Sequence, residues 1–436
     1  MKTISVFEHK PIGYPLSDVE KTALEKLRGP RDEKMFEVAW RGEVKATSFV
    51  GIVQLGASTV QVLPKMHDTG LSAAKCEQQA TANLLYLLSY TGKLRVTEPE
   101  ISWLTEKSAP LSEILYWIFA RRLWDAVRLE LLRGYVSVEA RLDVMKGRWL
   151  VAAQAQRSDG WRLDRFDVAY DEFTEDNPPN TLFNATVWRL SRWAMWPETR
   201  SNLAQLRSVF AEVAHVTPQR KNFPEAKHWM QRYRRRAGEG QLYRPLLNMA
   251  EMFWTGGGSQ PSPGRLEAFA FMFDMNQLFE EFIAEFIRRK LREVWQEKLG
   301  WDMRVQRENR ECLWYESGEP RFWLHPDVRF VDKQGKSVLI IDTKYKELTK
   351  DRQKWVSDDD ARQMYAYSRR FDCPRVLLLY PQLAEKIPVD FSAADSPRRL
   401  EVRTVDLQRD LMRDKMGLRD ELADALQPAY NTEIKS

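Results

Sequence analysis

The sequence predicts a multi-domain α/β protein: a small N-terminal β-rich domain, a helical middle region and a C-terminal α/β core. Three observations carry this expectation. Short apolar runs punctuated by Gly42, Gly51 and Gly56 give way, near Gly70, to a helical hydrophobic period. The run GGGSQPSPG at 256–264 has the composition of a linker. Beyond it, a long helical pattern leads into strands, including a hairpin over Leu324–Lys346. The expected division is 1–70, a β-rich domain; 71–255, mainly helical; 256–264, a linker; and 265–436, the α/β core. A length of 436 residues fits two or three domains.

The elements follow in order. Ile4–Glu8 reads as a strand, and Ser17-Asp18-Val19-Glu20 is a capping box opening a short helix that ends near Gly29-Pro30. Met35–Arg41, Val44–Val50, Ile52–Leu55 and Thr59–Leu63 read as strands of a unit too small for a large core, either a docking module or a plain structural subdomain. Ala73–Tyr90 and Leu111–Leu132 read as helices, the second ending at Arg133-Gly134, where glycine suits a C-cap. Val136–Val144 is ambiguous and is read as helix, and Thr181–Trp193 is a clearer one. Between them, YDEFTEDNPPN at 170–180 is a polar break whose side chains could hold a metal or cap the next helix. Arg232, Arg234, Arg235 and Arg236, around Tyr233, form the densest basic run, either a solvated helix face or a DNA-binding patch. Leu266–Leu299 reads as one helix, with Glu280 and Glu281 bordering its stripe of Met275, Leu278, Phe279, Phe282, Ile283, Phe286 and Ile287. Strands follow at Met303–Arg307, Arg375–Tyr380 and Glu401–Val405, and the charged tail after Asp410 reads as helical.

Composition sets bounds. The chain is 43% hydrophobic and 30% charged, enough for real cores. A net charge of +5 is compatible with nucleic acid without arguing strongly for it. Cys76, Cys312 and Cys373 are odd in number and far apart, so no disulfide framework or metal–thiolate cluster is expected. The five histidines show no ligand spacing. No Gly-Lys-Ser/Thr follows the glycine run, so the chain is not expected to hydrolyse nucleotides itself. The start, MKTISVFEHKPIGYP, lacks a signal-peptide apolar core, and no apolar run approaches membrane-spanning length. A cytoplasmic, reduced protein is expected.

The hairpin carries the chemistry. Apolar Val328, Phe330 and Val331 face Val338–Ile341 across Asp332-Lys333-Gln334-Gly335-Lys336. A turn centred on Gln334-Gly335 sets Asp327 opposite Asp342, and the strand period adds Lys344 to the Asp342 face. Two carboxylates and an ammonium in an apolar hairpin form either a structural ion pair or an oxygen site for a hard divalent cation. Downstream, Asp360, Gln363 and Tyr367 share one helix face.

Pro326-Asp327 followed by Asp342-Thr343-Lys344 resembles the PD-(D/E)xK nuclease motif, and Gln363 with Tyr367 resembles the Gln-x-x-x-Tyr element of RecB-like nucleases. The order helix, three strands, helix, strand matches that nuclease core fold. More of the chain resembles the McrC family, the nuclease subunits of McrBC-type modification-dependent restriction systems. The resemblance runs through Gly51–Gly56 and Pro64-Lys65, Arg133-Gly134, Lys146-Gly147-Arg148, Asp171–Asn180, Asp274–Glu280 and Leu377–Pro381. It implies a DNA endonuclease docked on a McrB-like AAA+ GTPase oligomer, which recognises and translocates double-stranded DNA carrying modified bases. The early β-rich part would engage that partner and stimulate its GTP hydrolysis. Asp327 and Asp342 would bind Mg²⁺, with Mn²⁺ as a substitute, aided by the Thr343 carbonyl and Glu280. Lys344 would activate water, and Gln363 and Tyr367 would position the DNA backbone or the lysine. Two other readings are a non-cleaving activator of the GTPase and a free-standing RecB-like nuclease.

Overall fold

The computed structural model describes residues 2–40, 42–56, 58–66, 70–162, 164–232, 239–255, 268–305, 309–348, 355–382 and 386–427. In chain order the N-terminal segment forms β1 (Lys2–Phe7), α1 (Asp18–Glu25), β2 (Phe36–Val38), β3 (Val44–Ala46), β4 (Phe49–Leu55) and β5 (Ser58–Leu63). The helices α2 (Ala73–Tyr90) and α3 (Glu98–Glu106) follow. Helix α1 starts where the sequence places it, because Ser17 and Glu20 close a reciprocal capping box.

The middle holds α4 (Leu111–Leu129), β6 (Gly134–Leu142), β7 (Arg148–Trp149), α5 (Val151–Ala155), β8 (Phe166–Thr174), α6 (Pro178–Ser191), α7 (Pro197–Val209), α8 (Asn222–Arg232) and α9 (Glu239–Thr255). The stretch expected as a helix at Val136–Val144 is instead strand β6, paired residue for residue with β8 from Gly134↔Thr174 to Leu142↔Phe166. Val136, Ser137, Val138 and Glu139 alternate, and the pairing strand decides between two weak local preferences. The helical middle thus carries a three-stranded sheet in the order β6-β8-β7. The polar break ends as a cap. Asn177 accepts from the Asn180 amide at the start of α6, and both Asn177 and Asn180 donate to the Leu132 carbonyl at 2.9 Å.

The C-terminal part holds β9 (Ala268–Asp274), α10 (Met275–Lys290), a π-helical turn at Glu293–Lys298, β10 (Asp302–Val305), β11 (Glu311–Glu316), β12 (Glu319–Leu324), β13 (Val328–Val331) and β14 (Ser337–Thr343). Then come α11 (Asp358–Arg370), β15 (Arg375–Pro381), β16 (Val389–Ser392), β17 (Arg399–Val405) and α12 (Lys415–Leu426). The helix expected from Leu266 begins only at Met275. The preceding AFAFMFD is a strand, in keeping with its phenylalanines, and Asp274 caps α10 by accepting from the Asn276 amide. The linker 256–264 lies outside the described residues.

The described residues divide into two compact units. One comprises nearly all of α4 to α9 with β6 to β8. The other joins the N-terminal segment through α3 to α10 and everything after it. The segment 1–70, expected as a domain of its own, therefore shares a unit with the C-terminal core. The Met275 amide donates to the Ser48 carbonyl at 2.9 Å, tying the two parts directly.

The sheets here are a four-stranded one, β1-β5-β4-β9, of whose last strand Phe269–Phe271 count with the first unit, and a six-stranded one in the second unit, β10-β13-β14-β15-β17-β16. Strands β14, β15 and β17 run parallel, and β15 is buried along most of its length, which explains its unbroken apolar run. Helix α11 packs Met364, Tyr367 and Phe371 against Ile340, Val376, Leu378 and Val402 of this sheet. Helix α10 buries its predicted stripe, and Phe279 lies 5.7 Å from the Tyr345 ring. No helix among the described residues is long and apolar enough to cross a membrane.

Leu378 is fully buried at the centre of the sheet–helix core. Leu378→Ala is expected to cost about 2–5 kcal/mol of stability in chemical denaturation. A loss below about 1 kcal/mol would mean that this core is not packed as described.

Candidate active site on the β13–β14 hairpin

The hairpin is built by its turn. Asp332 accepts from the amides of Gln334 at 3.0 Å and Lys336 at 2.9 Å, and Gly335 takes φ = +81°, where a side chain would be strained. The register then runs Val328↔Ile341, Arg329↔Ile340 and Phe330↔Leu339, with an irregularity only next to the turn. Continued by one step, it sets Asp327 opposite Asp342.

Asp327 closes the open end of the ladder with its side chain. Its Oδ2 accepts from both the Thr343 amide and the Thr343 hydroxyl, each at 2.7 Å. Its carboxyl is pushed well above the usual range, first by burial and then by the charges of Asp342 and Glu280, against the Thr343 bonds. Asp342 has a side chain only 3% exposed, with Lys344 Nζ 2.7 Å from its Oδ2. The contact is a short, charge-assisted ion pair on a buried oxygen. Burial raises the Asp342 carboxyl too, although Lys344 works the other way.

Lys344 is held from two sides. Its ammonium donates to Gln363 Oε1 at 2.9 Å, and Gln363 Nε2 donates to the Tyr367 hydroxyl at 2.7 Å. Tyr367, 2% exposed, donates to the His325 carbonyl at 3.2 Å. Burial alone would lower the Lys344 pKa, but the carboxylates of Asp342, Asp360 and Asp327 outweigh it and keep the lysine charged. Gln363 and Tyr367, from α11, thus brace the lysine of β14 and return to the loop just before Asp327.

The donor set suits a hard cation. Asp327 and Asp342 offer oxygen only, and both carboxyls are buried. Among the described residues, no three acidic, histidine or cysteine side chains converge as a ready-made cage. An ion here would therefore be held by two carboxylates and completed by water and phosphate oxygens, as Mg²⁺ sites often are. Glu280, expected as a ligand, acts on Asp327 through its charge. Its neighbour Glu281 is taken up by Lys93 at 2.6 Å and by Gln277. Thr343, expected to offer its carbonyl, contributes its amide and hydroxyl to Asp327.

The basic run is not brought into this site by any described contact. Arg232 ends α8 in the other unit, and Arg234, Arg235 and Arg236 lie outside the described residues. Two residues the motif does not contain are present instead. Lys346 pairs with Asp360, and Tyr380 donates to Asp360 at 3.2 Å. Lys346 lies beyond the end of β14, so no strand period pointed to it.

Comparison with known proteins concerns the family and the fold. The sequence profile of McrBC 5-methylcytosine restriction system components matches residues 44–381. No match is found among curated proteins. The fold resembles a chain in the refined half-complex from a tetradecameric assembly of Thermococcus gammatolerans McrB AAA+ hexamers with bound McrC. Its TM-score is 0.64 at 20% identity, covering 98% of this chain and 100% of that one. A chain in the cryo-EM structure of the Thermococcus gammatolerans McrBC complex gives a TM-score of 0.46 at 21% identity, over 66% of this chain and 88% of that one.

The raised carboxyl of Asp327 has a consequence for stability. A carboxyl with a folded pKa above its unfolded one binds more protons in the folded state, so without metal its contribution to stability falls as pH rises through the folded value. Asp327→Asn, which keeps an acceptor for Thr343 and removes the charge, is expected to raise the Tm of metal-free protein at pH 8. That gain should shrink as pH is lowered towards 4, where the wild-type carboxyl is neutral. A gain that persists undiminished at pH 4 would contradict the assignment.

Proposed function

This chain belongs to the McrBC 5-methylcytosine restriction system component family, as an McrC-type member, and we propose that it is the DNA-cleaving subunit of such a system. One observation supports this most: two buried carboxylates on a single hairpin, with a lysine held 2.7 Å from one of them by a glutamine–tyrosine brace. A structural ion pair would need one carboxylate per lysine and no brace. The reaction is hydrolysis of a phosphodiester in double-stranded DNA carrying modified bases.

A divalent cation, Mg²⁺ or Mn²⁺, held by Asp327 and Asp342 would lower the pKa of a bound water and polarise the scissile phosphate. The chain's own part is orientation and charge. Asp342 and Gln363 fix the Lys344 ammonium, so its positive charge is already in place where charge develops on the phosphate. Tyr367 and the His325 carbonyl stop the glutamine from rotating away. The low-dielectric surroundings that raise both aspartates also strengthen each of these interactions.

The family membership and the fold shared with an assembly of McrB AAA+ hexamers with bound McrC favour an McrB-like AAA+ GTPase as partner. In this reading the partner selects and moves the DNA, and the segment 1–70 takes part in docking and in stimulating GTP hydrolysis. One site of this kind cuts one strand, so a double-strand break needs two copies.

The test uses the chain with its AAA+ partner, GTP and methylated DNA. Asp342→Ala is expected to abolish Mg²⁺-dependent cleavage, and Lys344→Ala to slow it by about 10²- to 10⁴-fold. Chelation should stop cutting, and added Mg²⁺ or Mn²⁺ should restore it. Undiminished cleavage by Asp342→Ala would refute the nuclease assignment.

A further inference from the structure

Two lysines, not one, gather where β14 ends. Lys346 lies past the end of β14, where the chain bends and its amide donates to the Lys344 carbonyl at 2.9 Å. Lys346 Nζ pairs with Asp360 Oδ2 and lies 3.5 Å from the Ser357 hydroxyl. The other oxygen of Asp360 is 3.9 Å from Lys344 Nζ, and the Tyr380 hydroxyl donates to Asp360 at 3.2 Å. One carboxylate near the start of α11 therefore stands between both ammonium groups.

The two cations are not equivalent. Lys344 is 24% exposed and bound inward by Asp342 and Gln363. Lys346 is 45% exposed, and its partner Asp360 is 10% exposed. The pair is open to water on its lysine side alone, so Lys346 can leave without being drawn out of a core. If Lys346 left, Asp360 would keep the Tyr380 hydroxyl, the Ser357-capped helix start and the nearby Lys344, so its charge would not be stranded.

The geometry gives Lys346 a task. Lys344 is already held by Asp342 and Gln363, so Lys346 is the ammonium of the two that faces solvent and can turn to a DNA phosphate. Resting on the nuclease reading above, we propose that Lys346 is a DNA-phosphate contact beside the scissile position. Asp360 is the positioning residue that stores it there until phosphate displaces the carboxylate.

The test measures binding of the full chain to a fluorescent 30-base-pair duplex across a salt series without divalent cation, so that nothing is cut. Neutralising one phosphate contributes about 0.9 to the slope of log K against log salt. Lys346→Ala is expected to lower the slope by about that amount, and Lys346→Arg to restore it. Asp360→Asn removes the competing charge, so it should bind duplex as tightly as wild type or tighter while cleaving more slowly with the partner present. Lys346→Ala should instead bind duplex more weakly than wild type.

An unchanged slope in Lys346→Ala, or no duplex binding by the wild-type chain, overturns the proposal. The two readings fail separately. Loss of cutting in Asp342→Ala with an unchanged Lys346→Ala slope removes only the phosphate contact. Cutting by Asp342→Ala with a lowered slope removes only the nuclease assignment.

Discussion

Two carboxylates buried on one hairpin are the constraint around which this unit is arranged. Asp327 and Asp342 repel each other, and both lose hydration. An apolar pair of similar size would fold more readily there. Much of the surrounding structure offsets that cost: the amide and hydroxyl of Thr343 for Asp327, and the ammonium of Lys344 for Asp342. The offset is incomplete, since both carboxyls stay above their usual range. Two buried carboxyls left short of opposite charge suit the reception of a cation better than the closing of a core.

The brace explains why α11 is where it is. A lysine beside a buried carboxylate could swing out to water, because four rotatable bonds separate its charge from the backbone. Gln363 holds it with the amide oxygen, and the amide nitrogen is held in turn by Tyr367. The tyrosine is buried in the same cluster as Met364 and Phe371, so the apolar packing of α11 on the sheet fixes the lysine at the end of a polar chain. The stability of the core and the placement of the ammonium thus rest on one contact surface.

Much of this was legible in the sequence, because the signals were local. Asp332, Gly335 and the alternation of the two strands set the turn, and the turn set the register that opposes Asp327 to Asp342. The i, i+4 spacing of Gln363 and Tyr367 put both on one side of a helix. What was not legible depended on partners distant in sequence. Strand β6 is defined by its ladder with β8, and β9 by its place beside β4, so neither can be told from a helix by its own residues with certainty. The β11–β12 hairpin escaped because its Trp314, Tyr315 and Phe322 are exposed, which erases the buried-and-exposed alternation used to find strands. Its Ser317-Gly318 turn, with φ = +51° and +88°, was the remaining clue.

The joining of the N-terminal segment to the core has a physical basis at the same strand end. Lys344 points to the side of α11, and its neighbour Tyr345 points the other way, towards Phe279 of α10. The Tyr345 hydroxyl donates to Glu8, which follows β1 and is 1% exposed, and Glu8 also accepts from the Lys65 amide at 3.0 Å. Burial raises the Glu8 carboxyl above its usual range, although Lys65 opposes this. Removing residues 1–70 would therefore strip a partner from a buried tyrosine one residue from the candidate catalytic lysine, and it would also break the Ser48–Met275 bond at the head of α10. A truncated chain that failed to stimulate a GTPase, or failed to cut, would report the collapse of this junction as readily as the loss of a docking surface. The N-terminal segment can be separated from the site only by changes at its exposed side chains, because Glu8 and Ser48 already tie it to Tyr345 and Met275.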